Sequence, residues 1–263
     1  MQNTNKIVDN IVSKILKWLK GKQMIISKEK RTQSNIRVGK DKPALGLVVS
    51  NKRSLDIQNI LRERIAKQEI APGAKLGESE LAEEFLVPRN IIREAFIGLE
   101  QRGLIERIPN RGAVVIRLDL SQVFEIYDAR EVLEGLCARL ATQNASPDSW
   151  QDLVDLFNGK MKIFIENHDY ESFLAGYGLF RRRMLLAANN PVLTNMLDMV
   201  YEKTQAIIRR ILILPGRASI GLMEHQAVLD AMRSGDADLA EQLRRQNIRS
   251  AKDALRRYES FVL

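Results

Sequence analysis

The chain has 263 residues, 45% of them hydrophobic, with 41 Lys/Arg against 33 Asp/Glu and a formal charge of +8, which is enough for two modest domains with cores of their own. No apolar run is long enough for a spanning helix, and no N-terminal stretch has the apolar centre and small-residue cleavage site of a secretory leader. A single cysteine, Cys137, excludes an internal disulfide framework and fits a reducing cytosol.

The charge is uneven. Residues 1–54 hold 13 Lys/Arg against 3 Asp/Glu, so the basicity belongs to this extension and says nothing by itself about the rest of the chain. The extension opens with NKIVDNIVSKILKWLKGK, where Ile7, Val8, Ile11, Val12, Ile15, Leu16 and Leu19 follow helical spacing. A polar, Lys/Arg-rich stretch broken only by ALGLVV runs on to about Ser54, and Met24 is a second candidate start. Three readings stand for this arm: a poorly ordered tail, a non-specific DNA-binding arm, or a membrane-surface contact through residues 1–20.

Residues 55–118 form a compact block. SLDIQNILRERIAKQEI reads as a helix with Ser54 as its N-cap and Leu55, Ile57, Ile60, Leu61 and Ile65 on one side. APGAKLG is a turn, and ESELAEEFLV is a second, short helix. From Pro88 to about Arg102 the pattern is helical again, with Ile92, Ala95, Phe96 and Leu99 as the apolar stripe and Gly103 placed to close it. LIERIP and GAVVIRL are short, β-branched and joined by PNRG, which reads as a hairpin. From Asp119 to the end every signal is helical. The helices fall at about 119–143, 148–167, 169–189, 191–213, 217–234 and 236–260, with breaks at NASPDS, NHD, NNP, LPGRA and SGD. The fold class is therefore mainly α: a winged helix-turn-helix with a small β-hairpin wing, then an all-helical bundle of six or seven helices over 119–263. Cys137 lies in an apolar helical pattern and reads as a buried structural thiol.

Arg89 and Arg93 carry the chemistry of the first block. At helical spacing they lie about 40° apart and, with Asn90, face away from the apolar stripe. In a winged helix-turn-helix the third helix enters the major groove by its N-terminal end. The planar fork of Arg bonds guanine O6 and N7 together or clamps a phosphate, and Asn pairs with adenine. Arg111, beside Gly112 at the hairpin tip, suits a wing that reaches the next groove. The plainer alternative is a solvated helix face, with Glu94 and Glu100 near enough to pair with the arginines.

Residues 55–117 resemble the DNA-binding domain of the GntR family of bacterial transcription regulators. The resemblance rests on IAPGAKLGESELAEEF, RNIIREAF, LEQRGLIER and PNRGAVV. It implies DNA contact by Arg89, Asn90, Arg93, Arg111 and Gly112. Two departures matter: Pro88 stands where the family usually has Ser, and Asn90-Ile91 replace a common Thr-Pro. Pro is tolerated in a first helical turn, so the fold is expected to survive while the operator sequence changes.

The bundle resembles the FadR-type ligand domain of the same family through IYDAREVLEGLCARLA, LFRRRMLLAANNPVL and EHQAVLDAMRSGDADLAEQLRRQNI. Many members hold a divalent metal with one Asp and three His. The resemblance places Tyr177, Arg181, His225 and Asn247 at those positions, so only His225 is kept. A permanent cation and two weak donors make a poor zinc, nickel or manganese site, and no metal or other cofactor is expected. Arg181 is expected instead to offer fixed positive charge to a small anionic metabolite, a carboxylate above all, with Arg130 lining the pocket and Tyr177, His225 and Asn247 orienting the ligand. The alternative is a degenerate pocket.

These readings converge on a cytoplasmic, homodimeric regulator of transcription, a repressor bound to a double-stranded DNA operator and controlled by the metabolite. The competing reading is an effector-independent DNA-binding protein whose bundle only dimerises. The sequence has no nucleophile–base pair and no phosphate-cradling Gly loop, so it is not read as an enzyme.

Overall fold

The computed structural model describes residues 43–109 and 111–259. The amphipathic segment and the basic arm up to residue 42 lie outside these residues. The DNA-binding block is built from α1 (Pro43–Ala66), β1 (Lys75–Leu76), α2 (Glu78–Glu84), α3 (Arg89–Gln101), β2 (Ile105–Ile108) and β3 (Gly112–Val115). The bundle follows: α4 (Leu120–Asn144), a 3₁₀ turn (Pro147–Trp150), α5 (Gln151–Asn158), α6 (Lys160–Glu166), α7 (Tyr170–Ala188), α8 (Pro191–Leu212), α9 (Arg217–Ser234) and α10 (Ala237–Arg257).

Several boundaries follow from local chemistry. Asp119 caps α4 through the backbone N–H of Gln122, whose side chain returns the favour to the Asp119 N–H. Asn190 caps α8, and Pro191 takes the first helical position, where its missing N–H costs nothing. Gly235, at φ +79°, closes α9, and Asp236 caps α10 one residue later.

Two expectations are corrected and a third is extended. Ser54 does not cap a helix, because α1 already begins at Pro43 and Ser54 is buried in its interior. The helix expected over 148–167 is divided, because Gly159 leaves helical geometry at ψ −94°. The hairpin is part of a three-stranded antiparallel sheet in the order β1-β3-β2. In it Lys75 pairs with Val114, and Leu76 with Ala113. A two-residue strand has no alternation to detect, so β1 left no signal in the sequence.

The first block has its own core, formed by Ile57 and Leu61 of α1, Leu81 of α2, Ile92, Phe96 and Leu99 of α3, and Ile105 and Val115 of the sheet. Ile92 and Leu99 are fully buried, while Arg89, Asn90 and Arg93 are exposed on the same helix. The core therefore fixes how α3 presents its polar face. The bundle core centres on Cys137, Trp150, Phe157, Phe180, Met184, Leu229 and Met232. Burial pushes the Cys137 thiol up to about 12, so it stays protonated and acts as a small apolar group. A third cluster joins Val123 and Tyr127 of α4 to Ile207 and Ile211 of α8 and to Ile248 and Leu255 of α10. Among the described residues no helix is long and apolar enough to cross a membrane.

Phe96→Ala leaves a cavity between α3 and the sheet. It is expected to destabilise the DNA-binding block by about 3–5 kcal/mol, read by thermal melting. A change within error would contradict the account of how α3 is anchored.

Candidate DNA-reading face and bundle cavity

α3 starts immediately after Pro88, which adopts φ −61° and ψ 150° and gives the helix no side-chain cap. The Ser-to-Pro departure thus keeps the helix start. Arg93 Nε donates to Glu78 Oε2 at 2.7 Å, from α3 across to the start of α2. Glu100, near the other end of α3, meets Arg107 at 3.3 Å. Both members of the Arg93–Glu78 pair are partly exposed, so the pair is worth at most about 1 kcal/mol and gives way easily to a phosphate or a base.

Glu78 also lines a depression with Lys75, Arg111 and Gly112. The start of α3 and the wing therefore open on one face of the block. At the wing, Gly112 has φ +82°, a backbone conformation that favours glycine, and the Arg111 N–H donates to the Ile108 carbonyl at 3.0 Å. Arg111 is exposed. Lys75, brought beside the wing by β1, is the cation that sequence reasoning missed.

In the bundle, Arg130, Tyr177, His225 and Asn247 line one cavity of about 70 Å³, together with Tyr127, Phe173 and Arg217. Arg181 departs from expectation, because it is not among the lining residues. Its guanidinium lies over the Tyr201 ring, 4.0 Å from the centroid, and donates to Asp198 Oδ1 at 2.9 Å. The aromatic face and the carboxylate of α8 thus draw it away from the cavity.

A different arginine occupies the centre. Arg244 of α10 is fully buried. Its Nη1 donates to Asn247 Oδ1 at 2.8 Å and to His225 Nδ1 at 3.2 Å. Its Nη2 donates to the Tyr177 hydroxyl at 3.0 Å and to Glu134 of α4. Three of the four positions where the resemblance put metal ligands therefore converge on a guanidinium. These residues do not fit a divalent metal: a cation already lies among them, and His225 Nδ1 is spent as an acceptor. Among the described residues no three His, Cys, Asp or Glu side chains gather as a ligand set.

The electrostatics follow from this packing. Burial alone would raise the Glu134 carboxyl, but the guanidinium groups of Arg244, Arg130 and Arg181 outweigh it and hold the pKa down to about 2. Burial works against the charge on Arg244, yet Glu134 outweighs it and the pKa is raised. His225 is driven well below 6.5 by burial, then by Arg244 and Arg217, and is therefore neutral. Nδ1 accepts from Arg244, so the proton sits on Nε2. Arg244 was not singled out by sequence reasoning, because nothing in LRRQN ranks it above Arg245. The one available signal was the Arg130/Glu134 spacing of four along α4.

The two parts also touch. Glu202 of α8, almost buried, accepts from Arg62 of α1 and, at 2.9 Å, from Arg102 at the C-terminal end of α3. Its neighbour Tyr201 is the ring that Arg181 covers, 6.4 Å from the Tyr177 ring of the cavity.

A helix that offers arginines beside a β-wing, followed by a helical bundle with a cavity of mixed lining, defines a winged helix-turn-helix regulator with an appended helical domain. Residues 53–115 match the family described as "Bacterial regulatory proteins, gntR family", and residues 125–250 match the FCD domain. The gluconate operon transcriptional repressor of Bacillus licheniformis is 30% identical over 189 residues, which cover 68% of this chain and 75% of that protein. The galactonate operon transcriptional repressor of Escherichia coli is 29% identical over 204 residues, 69% of this chain and 87% of that protein. Among solved structures, Escherichia coli McbR/YncC shares the fold with a TM-score of 0.67 at 21% identity, over 79% of this chain and 98% of that one. The chain belongs to the GntR family of transcriptional regulators.

The neutral, buried His225 has a pH consequence. Its folded pKa lies below the unfolded value of about 6.5, so its contribution to stability is complete above that pH and is lost as pH falls. Between pH 7 and 5 the wild-type unfolding free energy, read by denaturant melts, is expected to fall more steeply than that of His225→Gln, by up to about 1.4 kcal/mol per pH unit. Parallel curves for the two proteins would contradict a neutral His225.

Proposed function

We propose that the protein is a cytoplasmic homodimeric repressor that holds a double-stranded DNA operator and releases it when a small carboxylate metabolite enters the bundle cavity. Arg89, Asn90 and Arg93 read bases and clamp phosphates in the major groove, and Arg111 with Gly112 places the wing. The dimer supplies two such helices for the two halves of a pseudo-palindrome. Arg130, Tyr177, His225 and Asn247 form the effector wall. Arg181 contributes from behind it, through Tyr201.

The observation that carries this reading is the position of α8. Tyr201 belongs to the packing behind the cavity, and the next residue, Glu202, holds Arg62 and Arg102 of the DNA-binding block. A ligand that moves Tyr177 or Tyr201 therefore acts on a helix already bonded to the recognition helix. Such coupling needs only that the ligand prefer one arrangement of α8 over the other. The operon names of two relatives, gluconate and galactonate, are names of monocarboxylic sugar acids, which is in keeping with an acid as effector.

A second reading has its own support. The Arg244 network is bonded to its own neighbours, which suits a bundle that only dimerises and senses nothing.

One experiment separates the two. An operator is selected from random duplex DNA, and binding is followed by fluorescence anisotropy with and without small carboxylates. Arg89→Ala and Arg93→Ala are each expected to weaken operator binding about tenfold or more while the protein stays folded. A carboxylate is expected to weaken the wild type. Unchanged binding by both variants would contradict the DNA-reading assignment, and operator binding indifferent to every acid would favour the scaffold reading.

A further inference from the structure

The cavity has a charge surplus. Among the described residues, Arg130, Arg217 and Arg244 meet two carboxylates there. Glu134 takes Arg130 at 2.8 Å and also Arg244, while Glu224 takes Arg217 at 3.0 Å and the Asn247 amide at 2.7 Å. Arg181 and Asp198 balance each other to one side, and His225 is neutral. One positive charge is left over among side chains that are nearly all buried: Arg130 is 3% exposed, Arg244 0% and Arg217 8%. An uncompensated charge in such a place is costly, and a single anion relieves it.

The donors for that anion are present. Arg130 Nη1 and Arg217 Nη1 are buried and have no hydrogen-bond partner, and both residues line the cavity. A buried, unsatisfied guanidinium N–H calls for an acceptor, and two of them suit the two oxygens of a carboxylate. The cavity's 70 Å³ is room for about five water-sized groups. That holds a carboxylate and a body of two or three carbons. The rest of the wall is mixed: Phe173, Leu174 and Ile211 are apolar, while Tyr177 and His225 offer polar atoms.

We infer that the cavity takes a short ligand with one carboxylate, held between Arg130 and Arg217, and that Arg244 is the cation that orders the wall in place of a metal ion. This rests on the effector reading and makes it specific. A second carboxylate would overshoot the single surplus charge. A neutral amide would leave it uncompensated. Because Arg244 already holds Tyr177, His225 and Asn247, binding needs no added metal.

The test uses the full chain and three compounds of one skeleton: lactate, tartronate (with a second carboxylate for the methyl group) and lactamide (with an amide for the carboxylate). Each is titrated by thermal shift and calorimetry, with EDTA and with added Mn²⁺ or Zn²⁺. Lactate is expected to bind at least tenfold more tightly than either analogue, with no effect of EDTA or metal. Arg217→Gln, checked for folding by circular dichroism, is expected to remove the preference for lactate over lactamide. Should that variant fail to fold, the comparison of the three compounds on the wild type still decides. Tartronate or lactamide binding as well as lactate, or binding lost with EDTA and restored by metal, overturns this inference and leaves the carboxylate-sensor reading standing. If no acid shifts the melt, gluconate included, both fall.

Discussion

Arg244 gives its guanidinium to Glu134, Tyr177, His225 and Asn247, and so one buried cation ties α4, α7, α9 and α10 together. Removing one partner of a buried ion pair typically costs about 3–5 kcal/mol, because the other charge is stranded. The bundle thus depends on the pair while gaining little net stability from it. What the pair supplies is placement. It fixes the His225 tautomer, turns the Tyr177 hydroxyl inward and seats Asn247 against Glu224. A divalent ion held by Asp and His would do the same work from the same positions. Here an arginine does it from within the chain, without the pH-dependent ligand deprotonation that metal binding requires.

The DNA-binding block was legible in the sequence because its signals are local and periodic. The stripe of Ile92, Ala95, Phe96 and Leu99 and the turn at Pro72-Gly73 each follow from a few adjacent residues. The wing was legible through PNRG, but β1 was not, since Lys75 and Leu76 become a strand only through their partners on β3. The start of α1 was misread because Ser54 is a good cap by type, yet nothing upstream stops the helix.

The bundle cavity was half legible. The family resemblance grouped Tyr177, His225 and Asn247, and the structure brings all three to the lining of one cavity. Arg181 was given the central role because it occupies a ligand position on the same helix face as Tyr177. The structure gives that role to Arg244, three residues before Asn247, and sends Arg181 to Asp198 and Tyr201. No pattern on α10 alone distinguishes Arg244, which is fully buried, from its half-buried neighbour Arg245. The distinction is made by Glu134, 110 residues earlier in the chain. Side-chain networks of this kind are written across elements, so a likeness read along one helix does not reveal them.

An internal guanidinium thus prepares the cavity for one carboxylate. This is tested most directly by a crystal structure of the protein grown with lactate. The account predicts carboxylate oxygens within hydrogen-bond distance of Arg130 Nη1 and Arg217 Nη1, with Arg244 still bonded to Tyr177, His225 and Asn247. A metal ion on His225 with Arg244 turned away, or a ligand bound without either arginine, would contradict it.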